Sequence, residues 1–463
     1  MNIARVLTWT LTIALGGFLF GLDTAVISGA EQDIQDLWEL TSFEHGLTVS
    51  MALIGTVIGA LFGNIPTDRI GRKKTLFWIA VIFLVSAVGS ALAADWLTFL
   101  IFRFVGGLGV GCSSVTAPLY ISELSPASYR GRLVAVFQFN VVLGILVAYM
   151  SNYLLQDVGE TPWRLMLGVQ AIPSTIFLVA ILFVPESPRW LISHSHDAEE
   201  AAIIFNKINP ATASAEVKSI LAAKEETTGG TSLFAKRHRA SVWLAILIAF
   251  FNQASGINAI IYYAPRIFEM AGLGRESALL STAGIGLVNL IFTMLALTLI
   301  DHAGRRKLLF VGSIGMVITL GLVSRAFYLS DFNSYWVPVC LLIFIAFFAV
   351  SQGAVIWVFI SEIFPNQVRA KGQSLGSFMH WLMAAVVAFS FPYLSEAWGG
   401  GASFLFFMIM MVLQLLFVWK VMPETRGKSL ESIDTSQWQD RPSGDLSAAV
   451  LASGLQSKLN SKQ

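Results

Sequence analysis

Charge is scarce in this sequence. Only 13% of its 463 residues are Asp, Glu, Lys or Arg, against roughly 25% in an average soluble domain, while 55% are hydrophobic. A globule dissolved in water is excluded. Cysteine is nearly absent too: Cys112 and Cys340 lie in apolar runs of opposite halves, so a disulfide framework is excluded and small apolar packing roles are expected. No nucleophile, metal cluster or cofactor motif stands out, which argues against an enzyme. The glycine run Gly106-Gly107-Leu108-Gly109-Val110-Gly111 suggests a nucleotide loop, but no strand precedes it and no Lys-Ser/Thr follows. No cofactor, metal or nucleic-acid partner is expected.

What the chain has in quantity is long apolar runs. A helix needs about 20 residues to cross a hydrocarbon core of about 30 Å. Runs of that length are read near 6–28, 47–65, 75–94, 97–120, 133–155, 163–184, 241–263, 278–300, 308–328, 336–360, 372–395 and 402–422. The first is read as a genuine span rather than a cleavable signal, because it is long and carries Asp23. The expected fold is all-α: twelve transmembrane helices in two pseudo-symmetric six-helix bundles. The expected division is a first bundle over 1–186, a cytoplasmic helical linker over 187–240, a second bundle over 241–425 and a polar tail over 426–463.

The polar connectors say why there are two bundles. Asp68-Arg69-Ile70-Gly71-Arg72-Lys73-Lys74 is answered by Asp301-His302-Ala303-Gly304-Arg305-Arg306-Lys307. Ile121-Ser122-Glu123, with Pro126 and Arg130, is answered by Ile360-Ser361-Glu362, with Pro365 and Arg369, at a constant offset of 239 (360 − 121). Pro185-Glu186 recurs as Pro423-Glu424. Two copies of one membrane module make a cleft between them through which a solute can pass.

These connectors are also strongly polarised. Those after the second, fourth, eighth and tenth spans are rich in Arg and Lys, whereas the first holds Glu31, Asp33, Asp36, Glu39 and Glu44 with no basic residue. The positive-inside bias puts both termini in the cytoplasm of a multi-pass membrane protein.

Asp23 stands deep in the first span, where an ionised carboxylate alone costs about 2.5–3.5 kcal/mol of insertion free energy. Arg103, near the start of the fourth span, is its expected partner. A conformational change that altered their separation would take up or release a proton, the alternative being a permanent structural pair. The glycines Gly55, Gly59 and Gly63, and Gly17 and Gly21, recur every four residues and predict close helix packing.

The seventh span carries Asn252-Gln253-Ala254-Ser255-Gly256-Ile257-Asn258. Amides both donate and accept, which suits a ligand covered in hydroxyls. Gln253 and Asn258 stand about 140° apart on an ideal helix, so sharing one site requires breadth or local unwinding, which Gly256 permits. Gln138 and Asn289 add amides, and Trp357, His380 and Trp381 add rings that could stack on a pyranose.

With these motifs in place, the chain resembles the sugar porter family of the major facilitator superfamily, which includes bacterial proton–xylose symporters and animal glucose transporters. The likeness rests on Gly-Leu-Asp23-Thr-Ala-Val-Ile-Ser-Gly, the doubled basic loops, Pro185-Glu186-Ser187-Pro188-Arg189-Trp190-Leu191, the Ser-Gly-Ile-Asn258 segment and Pro423-Glu424-Thr425-Arg426-Gly427-Lys428, from about residue 10 to 431. It implies alternating access and a monosaccharide held mainly by the second half. Gln138, Gln253, Asn258, Asn289 and Trp357 then fall on sugar contacts, with Asn252 in place of a Gln, and His380 in place of an Asn or Gln. Phe20 and Trp381 fall on apolar walls. Asp23 falls where proton-coupled members carry Asp and facilitators commonly carry Asn. Arg72, Glu123, Arg132, Glu362 and Arg369 fall on a cytoplasmic charge network that latches the halves in the outward-facing state. The absence of prolines before Trp357 leaves a hinge there in question. The expected protein is a proton-coupled hexose or pentose symporter, active as a monomer in the lipid bilayer. A facilitative uniporter or a non-transporting sugar receptor are the competing expectations.

Overall fold

The structure, a computed structural model, describes residues 2–126, 129–195, 197–226, 232–330, 332, 335–365 and 368–426. The expected tail from 427 onward lies outside the described residues. Among those described, all regular structure is helical.

The first half crosses six times, by Ile3–Leu37, Ser42–Phe62, Arg72–Leu92, Trp96–Leu124, Arg130–Leu155 and Pro162–Phe183. The first helix runs well past the expected end at 28. Glu31 and Asp33, read as connector charges, are carried on its last turns because partners meet them there. Thr41 then starts the second span with a capping box, donating and accepting with Glu44.

The second half crosses by Lys236–Met270, Arg275–Ile300, Arg305–Leu329, Trp336–Glu362 and Arg369–Lys420. The last is 52 residues, about 78 Å at 1.5 Å per residue, more than twice the apolar thickness of a bilayer. It turns back at Gly399, whose φ of 77° interrupts the helix, so it supplies the eleventh and twelfth crossings. Between the halves lie short helices at Ala198–Ile208 and Ala213–Glu226.

Within the first half, spans 1 and 5 and spans 2 and 4 pack against each other extensively. The glycine periodicity is the reason: a Cβ on Gly21 would run into the carbonyl of Val141, and one on Gly55 into that of Phe104. Across the halves, span 2 meets span 11, span 5 meets span 8, and span 1 meets span 7.

The sequence repeat is a structural repeat down to its hydrogen bonds. Gly71 and Gly304, at φ 96° and 88°, each turn the chain into a helix whose first backbone N–H groups have no acceptor within the helix itself. Glu186 accepts from the N–H groups of Arg72 and Lys73 (2.9 and 3.1 Å), and Glu424 accepts from those of Arg305 and Arg306 (both 3.0 Å). A carboxylate at a helix N-terminus is where the backbone dipoles favour it. Arg72 forks onto Glu123 (2.9 and 3.0 Å), as Arg305 forks onto Glu362 (3.1 and 2.8 Å). The hydroxyls of Ser187 and Thr425 complete the two sets, donating to Glu123 and Glu362 at 2.5 and 2.6 Å. Burial pushes the Glu186 carboxyl above its usual range, with the N–H groups of Ser187, Lys73 and Arg72 pulling the other way.

Candidate functional site

The seventh span is broken in its middle. Arg239–Ala254 ends and Ile257–Met270 begins around Gly256, which adopts a left-handed φ of 83° with the Phe407 ring against it. That break removes the angular separation of an intact helix and turns Gln253 and Asn258 toward each other. The Asn258 amide donates to Gln253 Oε1 at 2.6 Å, and Gln253 Nε2 donates to Asn252 Oδ1 at 2.9 Å. Gln253 Nε2 also stands 3.2 Å from both ring nitrogens of His380. Asn252 reaches the carbonyl of Gln352 at 3.4 Å.

Rings close round these amides. His380 lies 4.9 Å from Trp357 and 4.8 Å from Trp381, centroid to centroid, and Trp381 meets Phe20 of the first half at 5.4 Å. Seven of the nine residues expected at a ligand site are thus brought into one cluster: Phe20, Asn252, Gln253, Asn258, Trp357, His380 and Trp381. Gln138 and Asn289 are half-buried on the fifth and eighth spans, which pack together across the two halves. Asn289 accepts from Thr293 at 3.4 Å.

The tenth span lacks prolines, yet it does not run as a plain α-helix. It widens into a π-turn at Ala349–Gly353, between Trp336–Phe348 and Ala354–Glu362. Gln352 on that turn is buried, donating to Gln414 at 2.7 Å while its carbonyl takes the Asn252 bond. Sequence reasoning passed over Gln352 and Gln414, although an amide in each of two otherwise apolar spans was the available signal.

Asp23 and Arg103 form the expected pair. Arg103 Nη1 donates to Asp23 Oδ1 at 2.8 Å and Nη2 to the Asp23 carbonyl at 3.3 Å, with Asp23 2% and Arg103 1% exposed. One oxygen of the carboxylate, Oδ2, and the guanidinium Nε have no hydrogen-bond partner among the described residues. Phe20 and Asp23 lie one turn apart on the same helix, so the apolar wall and the buried acid share a rigid element.

The two ends of the molecule differ. At the acidic end the halves are bolted together: Arg266 forks onto Glu31 (3.0 and 2.9 Å) and bonds Gln35, while Arg275 forks onto Asp33 (both 2.8 Å). Tyr149 donates to the carbonyl of Ile261 at 2.8 Å, and Ser42 bonds Glu396. Glu31, Arg266 and His45 were not picked out from the sequence, because Glu31 reads as one more acid of a polar connector. At the basic end, Arg72 and Glu123 pair inside the first half, while Arg369 reaches the carbonyl of Phe364 inside the second and Glu362 binds Arg305. Arg132 is exposed. A crevice of about 910 Å³, lined by Asn2, Ile3, Ala4, Arg5 and linker residues, also opens at that end, away from the amide cluster.

Two helical bundles, closed at one end over a polar core on their shared interface, define a membrane carrier of the major facilitator fold rather than an enzyme. The chain belongs to the family described as "Sugar (and other) transporter", matched over residues 9–436. It is 40% identical over 429 residues to an arabinose-proton symporter of Bacillus subtilis (strain 168), covering 91% of this chain and 92% of that protein. It is 35% identical over 492 residues to the D-xylose-proton symporter of Escherichia coli (strain K12), covering 97% and 99%. Among solved structures, the inward open conformation of the E. coli xylose transporter XylE superposes with a TM-score of 0.84 at 34% identity, covering 93% and 99% of the two chains. The proton:xylose symporter XylE bound to 6-bromo-6-deoxy-D-glucose gives 0.77 at 35% identity, covering 95% and 100%.

Proposed function

We propose that this protein is a proton-coupled monosaccharide symporter working by alternating access. The observation that carries the reading is the placement of Asp23 beside Arg103 and one helical turn from Phe20, which touches Trp381 of the other half. Movement of the sugar wall is then movement of the acid. In the outward-facing state Asp23 accepts a proton and its hold on Arg103 weakens. Sugar bound among Gln138, Asn252, Gln253, Asn258, Asn289, Trp357 and His380 draws the halves together, with Phe20 and Trp381 closing over it. The bundles rock and both cargoes leave on the other side, where Arg103 pairs with the ionised carboxylate again.

In this reading the basic end faces the cytoplasm, with both termini there, and the closed acidic end faces outward from a bacterial inner membrane. The bonds across the acidic end, and the higher likeness to an inward open relative, support reading the conformation as inward-facing. Arg72, Glu123, Arg132, Glu362 and Arg369 latch the cytoplasmic ends when the carrier turns outward. Arg369 has a buried guanidinium nitrogen, Nη2, with no partner among the described residues, a donor suited to a carboxylate arriving from the other half. The carrier acts as a monomer, each chain holding a complete site.

The test is transport in proteoliposomes with an imposed pH gradient and labelled hexoses and pentoses. Wild type should accumulate sugar and move protons with it, whereas Asp23→Asn should lose accumulation and retain exchange. Undiminished proton-driven accumulation in that variant sinks the coupling role. Sugar flux without proton movement in the wild type would make it a facilitator, and binding without flux would make it a receptor.

A further inference from the structure

The acidic end holds a second buried acid whose surroundings the transport cycle above does not use. Glu31 is 0% exposed and lies between two cations or potential cations, Arg266 of the second half and His45 of its own half. Arg266 has the better geometry, forking onto both carboxylate oxygens. His45, also 0% exposed, brings Nε2 to 2.7 Å from Glu31 Oε2, but off the direction a good N–H···O bond requires. Its Nδ1 has no partner among the described residues, and its ring packs on Tyr263 at 5.8 Å.

We propose that Glu31 and His45 form a second proton-binding site, filled when the outer end opens and emptied when Arg266 docks. The inference rests on alternating access, because Arg266 belongs to the half that moves away. With Arg266 docked, one guanidinium balances one carboxylate, and a proton on His45 would leave an uncompensated buried charge. With Arg266 withdrawn, Glu31 keeps only His45. A proton taken from outside water onto the imidazole restores the balance as His45⁺–Glu31⁻, and return of Arg266 sends that proton back to the same water. External acid therefore favours the outward-open form, up to tenfold in the opening equilibrium per pH unit for one linked proton.

Several other charged or titratable groups near this cluster have partners of their own. On the first span, Asp33 is held by Arg275, and Gln35 shares Arg266. On the second span, Glu44 is held by the Thr41 cap. The seventh span presents Tyr263, which donates to the carbonyl of Ala388, and the buried Tyr262. From the eleventh span, Glu396 is bonded by Ser42, and before the fourth span Asp95 is occupied by Thr98. Among the described residues, His45 is the titratable group within ion-pair distance of Glu31 that could exchange roles with Arg266.

The experiment uses full-length protein in lipid nanodiscs, in an Asp23→Asn background so that the inner acid adds no pH dependence. Cys112 and Cys340 are replaced by Ala, and spin labels are placed at Leu37→Cys and Trp398→Cys, both exposed at the acidic end. Interlabel distances are recorded without sugar from pH 5 to 8.5. The population with the longer distance should rise several-fold as pH falls, and His45→Gln should flatten that dependence. Glu31→Gln should flatten it as well, which keeps the question open to test should one variant fold poorly. A longer-distance population that ignores pH, or one that responds equally in both variants, overturns the second proton site. Absence of any longer-distance population at every pH, with or without sugar, overturns alternating access instead.

Discussion

At the residue scale, the Asp23–Arg103 pair decides the most. Two opposite charges buried in apolar surroundings are tolerable together and costly apart. Arg103→Gln should destabilise the protein by about 3–5 kcal/mol through the orphaned carboxylate, whereas the double variant Asp23→Asn with Arg103→Gln should recover most of that loss. Thermal unfolding in detergent at pH 7.5 compares them, and equal losses in single and double variants would deny the pair its energetic coupling. The aromatic contacts are smaller in energy but closer to the cargo. Trp357, 36% exposed, still offers a face for a sugar ring. Trp357→Ala should therefore raise KM for sugar at least tenfold with little change in stability, as measured by initial uptake rates.

At the element scale, the informative helices are the irregular ones. Gly256 holds a left-handed φ with an aromatic ring against the place a side chain would occupy. A left-handed backbone costs an L-residue about 1–2 kcal/mol, and straightening the helix would carry Asn258 away from Gln253. Gly256→Ala should therefore lower the melting temperature and weaken sugar binding together, a pairing that calorimetry on one sample can read. The tenth span shows that proline is not required to interrupt a membrane helix. Its π-turn turns Gln352 into a polar contact with Gln414 and exposes a carbonyl to Asn252. The residue types of both interruptions were readable, a glycine in one and an amide in the other. The π-turn itself was not readable, because the amides that meet Gln352 on it, Gln414 and Asn252, lie 62 and 100 residues away.

At the scale of the whole molecule, the acidic end is closed by backbone as well as by charge. A Cβ on Gly46 would strike the carbonyl of Phe389 on the eleventh span. Gly46→Val should hold that end ajar, lengthening the distance between labels at 37 and 398 and slowing sugar exchange several-fold. An unchanged distance distribution would show that the two spans separate there without hindrance.

The amino-acid order alone pointed to the twelve crossings, their grouping in two copies, the unequal charge of the two ends and the pairing of Asp23 with Arg103. Hydrophobic length, constant offsets and an acid and a base deep in otherwise apolar spans are local or periodic signals that survive without coordinates. What required three dimensions was every contact made across the interface between the copies. Glu31 reads as one acid among five in a polar connector, and only packing shows it sealed between His45 and Arg266. The repeat fixes what each half is, but the free energy of bringing two halves together depends on which atoms meet, and no periodicity within one half encodes that.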